Sequence, residues 1–336
     1  MSQRSALRFF TEVDADPAAL AGQSVAVLGY GNLGRSLALN LRDSGLPVLV
    51  GNVDDGYRQA AAADGFEVAD IGPAAAAADV VLLLLPDEVI PGCFAATIGP
   101  ALRPGTVICF ASGYVLAFGL VEPSPEVDVL LLAPRMVGAA VRQSYLDKGG
   151  FLSYLSVEQN ASGRAEQRLL ALASAAGSLR RGALGLTARQ EALLDLLVEQ
   201  TFGAYVGVAL QLAFHVGVAA GLPAEAMVAE LYMSGEMAHT FQSFADLGFF
   251  PAISGHGPTA MYGGFLRTQE IDAAALEAGF RATLDDIQAG RFAATFQEEQ
   301  AAGYPTLTLI QQLAEGDNPI TAAERQLRAG LTPDQH

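Results

Sequence analysis

The sequence predicts an α/β Rossmann domain followed by an all-α domain, and three observations lead to this fold class. A glycine-rich loop follows a short apolar run within residues 24–34. Apolar runs then alternate with helical segments up to about residue 184, which is typical of a parallel sheet covered by helices. Beyond that point strand patterns disappear and long helical segments take over. We therefore expect two domains, residues 1–183 and residues 184–336.

The glycine-rich loop follows the apolar run Val25–Leu28 and precedes a helical segment. This strand–turn–helix context is typical of a dinucleotide-binding site, although a glycine-rich turn in another kind of α/β protein is the alternative. The first glycine permits a tight turn, the second lets the backbone approach a pyrophosphate, and the third lets the helix pack closely. The helix N-terminus offers unpaired N–H groups to the phosphates. The loop residues assigned to cofactor binding are Gly29, Tyr30, Gly31, Asn32, Leu33 and Gly34.

Two acidic residues indicate a preference for NAD(H) over NADP(H). A second strand at 47–50 leads to Asp54, which lies 20 residues after Gly34, where an acid that binds the ribose 2′-hydroxyl is expected. Asp54 and Asp55 would repel the additional phosphate of NADP(H). Arg58 is the only nearby cation, and it could partly restore NADP(H) binding. The alternative is a plain Asp-Asp-Gly turn.

The rest of the first domain continues the alternation of strands and helices. Residues 79–86 form a continuous apolar run, as expected of a central parallel strand. The alanine run Ala74–Ala78 predicts a helix, because alanine is the best helix former. Further strands are predicted at Thr106–Ala111, Val127–Ala133, Leu152–Val157 and, as a last short strand, Ser178–Ala183.

The second domain begins with a helix that Thr187 could cap and that continues past Gln200. The stretch from Phe202 to Gly221 is the most apolar in the chain, and its length alone would permit a membrane span. It continues from an acidic helix and lacks flanking Lys or Arg. A buried helix in an all-α domain, or at a dimer interface, therefore explains it better. Pro223 begins the next helix, which we expect to reach about Leu247.

Composition excludes several classes of function. The hydrophobic fraction of 51% predicts a sizeable core and argues against disorder. The net charge of −17 argues against nucleic acid or an anionic membrane as a partner. Cys93 and Cys109 do not form a metal-spaced cluster and are consistent with a reducing compartment. Residues 1–16 lack the apolar stretch of a signal peptide, so we expect a cytoplasmic location.

Motifs spread along the chain resemble those of class I (short-form) ketol-acid reductoisomerases. They are Gly29-Tyr30-Gly31, residues 38–45, residues 63–66, residues 85–88, Val141-Arg142 with Tyr145, Asp195 with Glu199-Gln200, and Thr259-Ala260 with Tyr262-Gly263. The resemblance implies a Rossmann domain followed by a knotted all-helical domain that intertwines with that of a second chain. The active site would then be shared across a homodimer. The resemblance also implies a nicotinamide cofactor, with Pro86 among its binding residues, and Mg²⁺ for alkyl migration and reduction of 2-acetolactate-type acids.

Metal-binding residues are implied by the same resemblance. Asp195 and Glu199 match the metal-binding pair of the family, and their four-residue spacing places both carboxylates on one helix face. Glu191 lies one turn earlier on the same face, so a solvated acidic surface is the alternative. Glu230 matches the first acid of a second pair, whereas the second acid of that pair is replaced by Ser234.

The chain departs from the family pattern where the chemistry is expected. Ser112 stands where the family has His, Arg135 stands where it has Lys, and Gly257 replaces a substrate-binding Ser. Arg135 keeps the positive charge but cannot act as a Lys point charge or proton donor would. Ser112 keeps a hydrogen-bonding group but loses the basicity of imidazole. An altered substrate or reaction is the interpretation that these changes favour, and the candidate catalytic residues are Ser112, Arg135 and Glu230.

The sequence therefore predicts an NAD(H)-preferring oxidoreductase that reduces a small, carboxylate-bearing, keto-acid-type substrate. Mg²⁺ held by Asp195 and Glu199 would polarise the carbonyl oxygen as a Lewis acid. One alternative is a metal-independent ketone or imine reductase of specialised metabolism. A second alternative, from another class, is a non-catalytic nucleotide-binding relative.

Overall fold

The computed structural model describes residues 7–332. Nine strands of this range form one sheet in the order β1-β9-β8-β7-β6-β5-β2-β3-β4. The strands are β1 (Phe9–Phe10), β2 (Val25–Leu28), β3 (Val48–Gly51), β4 (Glu67–Ala69), β5 (Val80–Leu83), β6 (Val107–Phe110), β7 (Asp128–Pro134), β8 (Ser153–Gln159) and β9 (Ala183–Gly185).

The sheet is parallel from β4 to β7, and its connections follow the doubly wound pattern of dinucleotide-binding domains. The chain moves from β2 outward to β3 and β4 and then crosses back to β5 on the other side of β2. The carboxyl ends of β2 and β5 therefore flank the topological switch point, where ligands of such sheets bind. On the other side, β8 is antiparallel to β7, and β1 is antiparallel to β9.

The core of the sheet explains why its central strands read as continuous apolar runs. All residues of β2, β5 and β6 are buried, since helices cover both faces of these strands. On one face the strand side chains pack with Leu37 and Leu41, which a helical period places on the inner side of the first helix. Leu169 and Leu172 from a later helix belong to the same cluster.

Helices of the first part of the chain connect the strands. They are α1 (Asn32–Asp43), α2 (Gly56–Ala63), α3 (Ile71–Ala77), α4 (Ile90–Cys93), α5 (Gly99–Ala101), α6 (Tyr114–Ala117), α7 (Gly138–Leu146) and α8 (Ala165–Ala176). The predicted alanine-rich helix is therefore present as α3. A π-helical turn, Phe94–Ile98, lies between α4 and α5.

The second part of the chain has helices and no strand among its described residues after β9. Its helices are α9 (Ala188–Val198), α10 (Ala204–Ala219), α11 (Ala224–Val228), α12 (Glu236–Leu247), α13 (Phe249–Ile253), α14 (Pro258–Thr268), α15 (Ala273–Gln288), α16 (Arg291–Ala301), α17 (Pro305–Glu315) and α18 (Pro319–Leu331). A π-helical turn at Glu199–Gly203 joins α9 and α10 into one helix, Ala188–Ala219. As predicted, Thr187 caps this helix, because its Oγ1 accepts the N–H of Gln190 at 3.2 Å.

The chain forms two compact units that meet between Asp195 and Leu196, within this long helix. The first unit contains the sheet and its helices. The second unit is all-helical and has a small buried cluster of Phe214, Val228 and Ala323. The domain boundary after residue 183 remains a prediction.

Four elements differ from the sequence predictions in their bounds, presence or continuity. The last short strand predicted near Ser178–Ala183 is present but begins only at Ala183, because a 3₁₀ turn at Ser178–Arg180 follows the left-handed Gly177. Strands β1 and β4 were not predicted, since two or three residues carry no detectable period. The helix predicted from Pro223 to Leu247 is interrupted by a π-helical turn at Ala229–Met233 and by Gly235, whose φ is 86°.

The apolar helix α10 differs most from the sequence prediction in how much of it is buried. Within α10 only Phe214 and Gly217 are buried, so a buried position within a single chain is wrong for this helix. Of the described residues, Ala188–Ala219 is the one helix long and apolar enough to cross a membrane by length and composition. Helices that pack within soluble assemblies pass the same test.

Candidate active site

A cleft of about 670 Å³ opens at the switch point of the sheet. Four loops line it, which follow the carboxyl ends of β2, β3, β5 and β6. The predicted cofactor residues that line it are Gly29, Tyr30, Gly31, Leu33, Asp55 and Pro86. Asn32 and Gly34, in the first turn of α1, and Asp54, in the loop after β3, do not line the cleft. Ser112, a predicted catalytic residue, lies at its β6 side.

The three glycines of the first loop have distinct surroundings. Gly29 has a φ of 96°, and a Cβ atom there would lie 2.7 Å from the carbonyl oxygen of Leu84. A Cβ atom at Gly34 would lie 2.0 Å from the carbonyl oxygen of Gly29. At Gly31, by contrast, no heavy atom lies within 4 Å of the Cβ position. The protein itself therefore requires the first and third glycines, whereas the second leaves open space beside the start of α1.

Asn52 joins the glycine loop to the loop after β3, a role that the sequence analysis missed. Its side chain is buried, and its Oδ1 accepts the N–H of Tyr30 at 3.0 Å. Its Nδ2 donates to the carboxylate of Asp55 at 2.8 Å and to the carbonyl oxygen of Val53 at 3.0 Å. A polar residue directly after an apolar strand is the signal that could have identified it.

The two acids of this loop have different environments. Asp55 caps α2, because its Oδ1 accepts the N–H groups of Tyr57 and Arg58. Asp54 is exposed. The Arg58 guanidinium donates to Asp70 at 2.6 Å and to the carbonyl oxygen of Asn52 at 3.0 Å. These contacts direct Arg58 to the protein, which weakens its predicted role as a partner for the phosphate of NADP(H).

Ser112 follows β6 and is held in a short hydrogen-bond chain. Its hydroxyl donates to the carboxylate of Asp87 at 3.1 Å and accepts the N–H of Tyr114 at 3.2 Å. The Tyr114 hydroxyl is buried without a hydrogen-bond partner among the described residues. Burial, with a smaller contribution from the charge of Asp87, raises the pKa of Tyr114 to about 12. Tyr114 therefore stays neutral at physiological pH, and Asp87 is the acid that faces Ser112.

Arg135 follows β7 and binds two carboxylates of α9; we call Arg135, Glu191 and Asp195 the arginine cluster. Its Nη2 donates to Glu191 at 2.8 Å, and its Nη1 donates to Asp195 at 2.6 Å. Glu191 is buried, and its other oxygen accepts the N–H of Gly113 at 2.7 Å. Burial raises the pKa of Glu191, whereas the Gly113 N–H and the charge of Arg135 oppose that shift. One buried carboxylate thus connects Arg135 to the residue next to Ser112.

The arginine cluster contains one of the two predicted Mg²⁺ ligands, Asp195. Asp195 already shares its carboxylate with Arg135, and no group of three or more metal-ligating side chains exists among residues 7–332 of a single chain. The arginine cluster therefore does not fit a resident Mg²⁺ in this arrangement. Glu199 and Glu230 belong to the second unit, where both are exposed and each lies in a π-helical turn.

The strand order, the glycine loop and the cleft at the switch point define a dinucleotide-binding domain of the Rossmann type. Comparisons with known proteins give the family. Residues 19–182 match the family model of the acetohydroxy acid isomeroreductase NADPH-binding domain, and residues 189–332 match that of the ketol-acid reductoisomerase C-terminal domain. The chain therefore belongs to the ketol-acid reductoisomerase family, as its motifs predicted, and it is an NAD(P)H-dependent oxidoreductase.

Individual relatives agree with this family. The chain is 37% identical over 309 residues to a ketol-acid reductoisomerase (NADP⁺) of Pyrobaculum arsenaticum, covering 91% of this chain and 93% of that protein. It is 35% identical over 325 residues to the Pyrobaculum neutrophilum enzyme of the same name, covering 96% and 98%. A solved structure of an NADH-preferring ketol-acid reductoisomerase from an uncultured archaeon superimposes with a TM-score of 0.92. The two chains share 30% sequence identity. The superposition covers 97% of this chain and 100% of the other.

Proposed function

We propose that this protein uses NADH to reduce a carbonyl or imine carbon of a small, carboxylate-bearing substrate. The observation that carries the proposal is the switch-point cleft, which is lined both by Gly31, with open space at its Cβ position, and by Asp55 of the acidic loop after β3. The glycine loop would bind the pyrophosphate with the N-terminus of α1. Asp54 would bind the ribose hydroxyls and repel a 2′-phosphate. The similarity to a structure described as NADH-preferring supports this choice of cofactor.

The nicotinamide end of the cofactor would reach the carboxyl ends of β5 and β6, because Pro86 and Ser112 line that part of the cleft. Bound there, the cofactor supplies a hydride. Ser112 would hydrogen bond to the substrate oxygen or nitrogen that receives negative charge, with Asp87 holding the hydroxyl in position. Arg135 would supply positive charge for a substrate carboxylate, and Glu230 would supply a hydrogen bond to substrate.

The relatives are named reductoisomerases, and an isomerisation by alkyl migration is a separate part of the proposal. If this reaction is retained, the resemblance implies Mg²⁺ at Asp195 and Glu199, whose four-residue spacing on the Ala188–Ala219 helix allows it, although Arg135 already occupies one oxygen of Asp195. The contact between Arg135 and Asp195 favours a second candidate function, which is reduction without isomerisation or metal. We derive no step of the reduction through a metal ion.

We also propose that two chains associate in the cytoplasm. One face of α10 carries Val208, Leu212 and Val216. In the single chain these residues are 55, 59 and 69% exposed, respectively. Exposed aliphatic residues repeating every fourth position are typical of a helix that another surface covers. A second copy of the chain would cover this face. The predicted domain boundary after residue 183 would then separate the cofactor-binding domain from the domain that forms the dimer.

Turnover with a panel of substrates tests the proposed function. We would mix the protein and NADH with 2-acetolactate, other keto acids and cyclic imines, in Mg²⁺ and in EDTA, and follow absorbance of the nicotinamide. Mg²⁺-dependent oxidation of NADH with 2-acetolactate would support the isomerising reaction. Oxidation with another carbonyl or imine in EDTA would support the second candidate function. Tight NADH binding without turnover on any substrate would contradict both.

A further inference from the structure

The arginine cluster places a single guanidinium between two carboxylates that belong to successive turns of α9. Both terminal nitrogens of Arg135 are engaged, one with each acid, at 2.8 Å and 2.6 Å. The planar fork of arginine matches two acceptors at once, whereas a lysine ammonium is a single point charge. One guanidinium from within the chain therefore already offsets part of the negative charge that would attract a divalent cation to Asp195.

The position of Arg135 is fixed by more than these two contacts. Its guanidinium stacks on the ring of Tyr154 with 4.9 Å between the guanidinium carbon and the ring centroid. Its side chain is only 21% exposed, and its Nε is buried without a hydrogen-bond partner among the described residues. Arg135 is thus a packed side chain of the β7 end and not a mobile surface residue.

Removing the guanidinium from this position would be costly. Glu191 is only 1% exposed, and a buried carboxylate that loses its charged partner is strongly destabilising. Mg²⁺ additionally dehydrates reluctantly and keeps several of its waters. A divalent ion at Asp195 would therefore have to approach the positive charge of Arg135, and it would find one of the two carboxylate oxygens already occupied by the guanidinium.

We propose that Arg135 is the resident cation of this site and excludes divalent metal ions from Asp195. This inference concerns the same site as the proposed function. Its test measures metal binding without substrate or turnover, so its failure and the failure of the proposed hydride transfer can be distinguished.

Binding of Mn²⁺, used as a paramagnetic probe for the Mg²⁺ site, tests the proposal by electron paramagnetic resonance. The single variant Asp195→Asn should give the same Mn²⁺ titration as the wild type. Arg135→Gln should create a site that binds Mn²⁺ about tenfold or more tightly than the wild type, because Asp195 becomes available. Combining Arg135→Gln with Asp195→Asn should abolish that gain. Arg103→Gln is the control, because it removes an arginine that is paired with Asp79 outside the arginine cluster. This variant should show no gain in Mn²⁺ binding.

Arg135→Lys provides a second variant in case Arg135→Gln does not fold. A lysine can neutralise the buried Glu191 but cannot bridge to Asp195, so it should keep the fold and also gain Mn²⁺ binding. The proposal is overturned if the wild type binds Mn²⁺ at a site that Asp195→Asn weakens about tenfold or more. It is also overturned if neither folded variant of Arg135 gains binding.

Discussion

Ser112 and Arg135 follow neighbouring parallel strands, β6 and β7, and one carboxylate connects them. Glu191 accepts the N–H of Gly113, which is adjacent to Ser112, and also binds Arg135. These are the two positions at which the family resemblance implies His and Lys. Two of the departures from the family pattern therefore lie in one connected set of residues.

The glycine loop provides the first prediction at the residue scale. Gly31→Val should weaken NADH binding about a hundredfold, equivalent to about 2.8 kcal/mol, because a branched side chain would occupy the space proposed for the pyrophosphate. The fold should be retained, since no heavy atom lies within 4 Å of the Cβ position. Titration of NADH fluorescence measures the effect. Gly330→Val, at an equally open helical position, is the matched control and should bind NADH normally. Unchanged affinity in Gly31→Val would remove the cofactor from this loop.

Cofactor choice provides the second prediction. Asp54 is exposed, whereas Asp55 caps α2, so the charge can be changed at Asp54 without loss of the cap. Asp54→Arg should shift the ratio of kcat/KM values about tenfold toward NADPH, equivalent to about 1.4 kcal/mol, by replacing repulsion with attraction of the 2′-phosphate. The wild type should prefer NADH. Glu315→Arg makes the same change in net charge on the second unit and should leave the ratio unchanged. A wild type that prefers NADPH would contradict the charge argument.

At the scale of elements, a polar network connects α1, the end of α2 and the glycine loop. The guanidinium of Arg35 on α1 donates to Asp64 at 2.6 and 3.0 Å, and the Tyr30 hydroxyl donates to the same carboxylate at 2.8 Å. Burial and the neighbouring Asp64 raise the pKa of Tyr30 above its usual range. Asp64 follows the last residue of α2, so this network holds the helices that flank the cofactor loop.

The pH dependence of stability tests this network. Hydrogen bonds from Arg35 hold the pKa of Asp64 below its usual value, so the folded state binds a proton less readily than the unfolded state. The stabilisation is therefore present above the unfolded pKa and is lost as the pH falls through the lower, folded pKa. Asp64→Asn should reduce the free energy of unfolding at pH 7 by about 1 kcal/mol, a modest value because Arg35 is largely exposed.

Urea unfolding from pH 7 down to about pH 3 measures the difference between Asp64→Asn and the wild type, which should narrow as the pH falls. Asp54→Asn is the control, since it removes an exposed carboxylate of the neighbouring loop and should have little effect at any pH. A constant difference between Asp64→Asn and the wild type across this range would show that Asp64 acts through packing and not through its charge.

At the scale of the whole molecule, the two units bury very different amounts of apolar surface. The first unit has a continuous core on its sheet, whereas the buried cluster of the second unit consists of Phe214, Val228 and Ala323. Many large apolar residues of the second unit are exposed in the single chain, among them Phe250 at 80%. A helical unit with so small a core needs a further surface to bury its apolar face.

Association of two chains is the corresponding prediction. The wild type should sediment at twice the mass of the chain in analytical ultracentrifugation. Leu212→Asp should shift the protein toward monomers or reduce its solubility, because a charge would be buried in the proposed interface. Val13→Asp, at an exposed apolar residue of the first unit, is the control and should leave the mass unchanged. A monomeric wild type would contradict the proposed association.

The sequence by itself determined the fold class, the glycine loop and the succession of most strands. These features depend on residues that are close in the chain, since a buried strand, a tight turn and a helix start each leave a local pattern. The roles of the individual site residues remain predictions.

Only the tertiary structure decided how the polar residues pair. Asn52 contacts Tyr30, and Arg135 lies between Glu191 and Asp195, across separations of 22, 56 and 60 residues. No local pattern specifies such partners, because a carboxylate on a helix face has the same sequence neighbours whether it meets water, a metal ion or a guanidinium. Packing of α9 against the strand ends selects the guanidinium, since a buried charge such as Glu191 must be compensated where it lies.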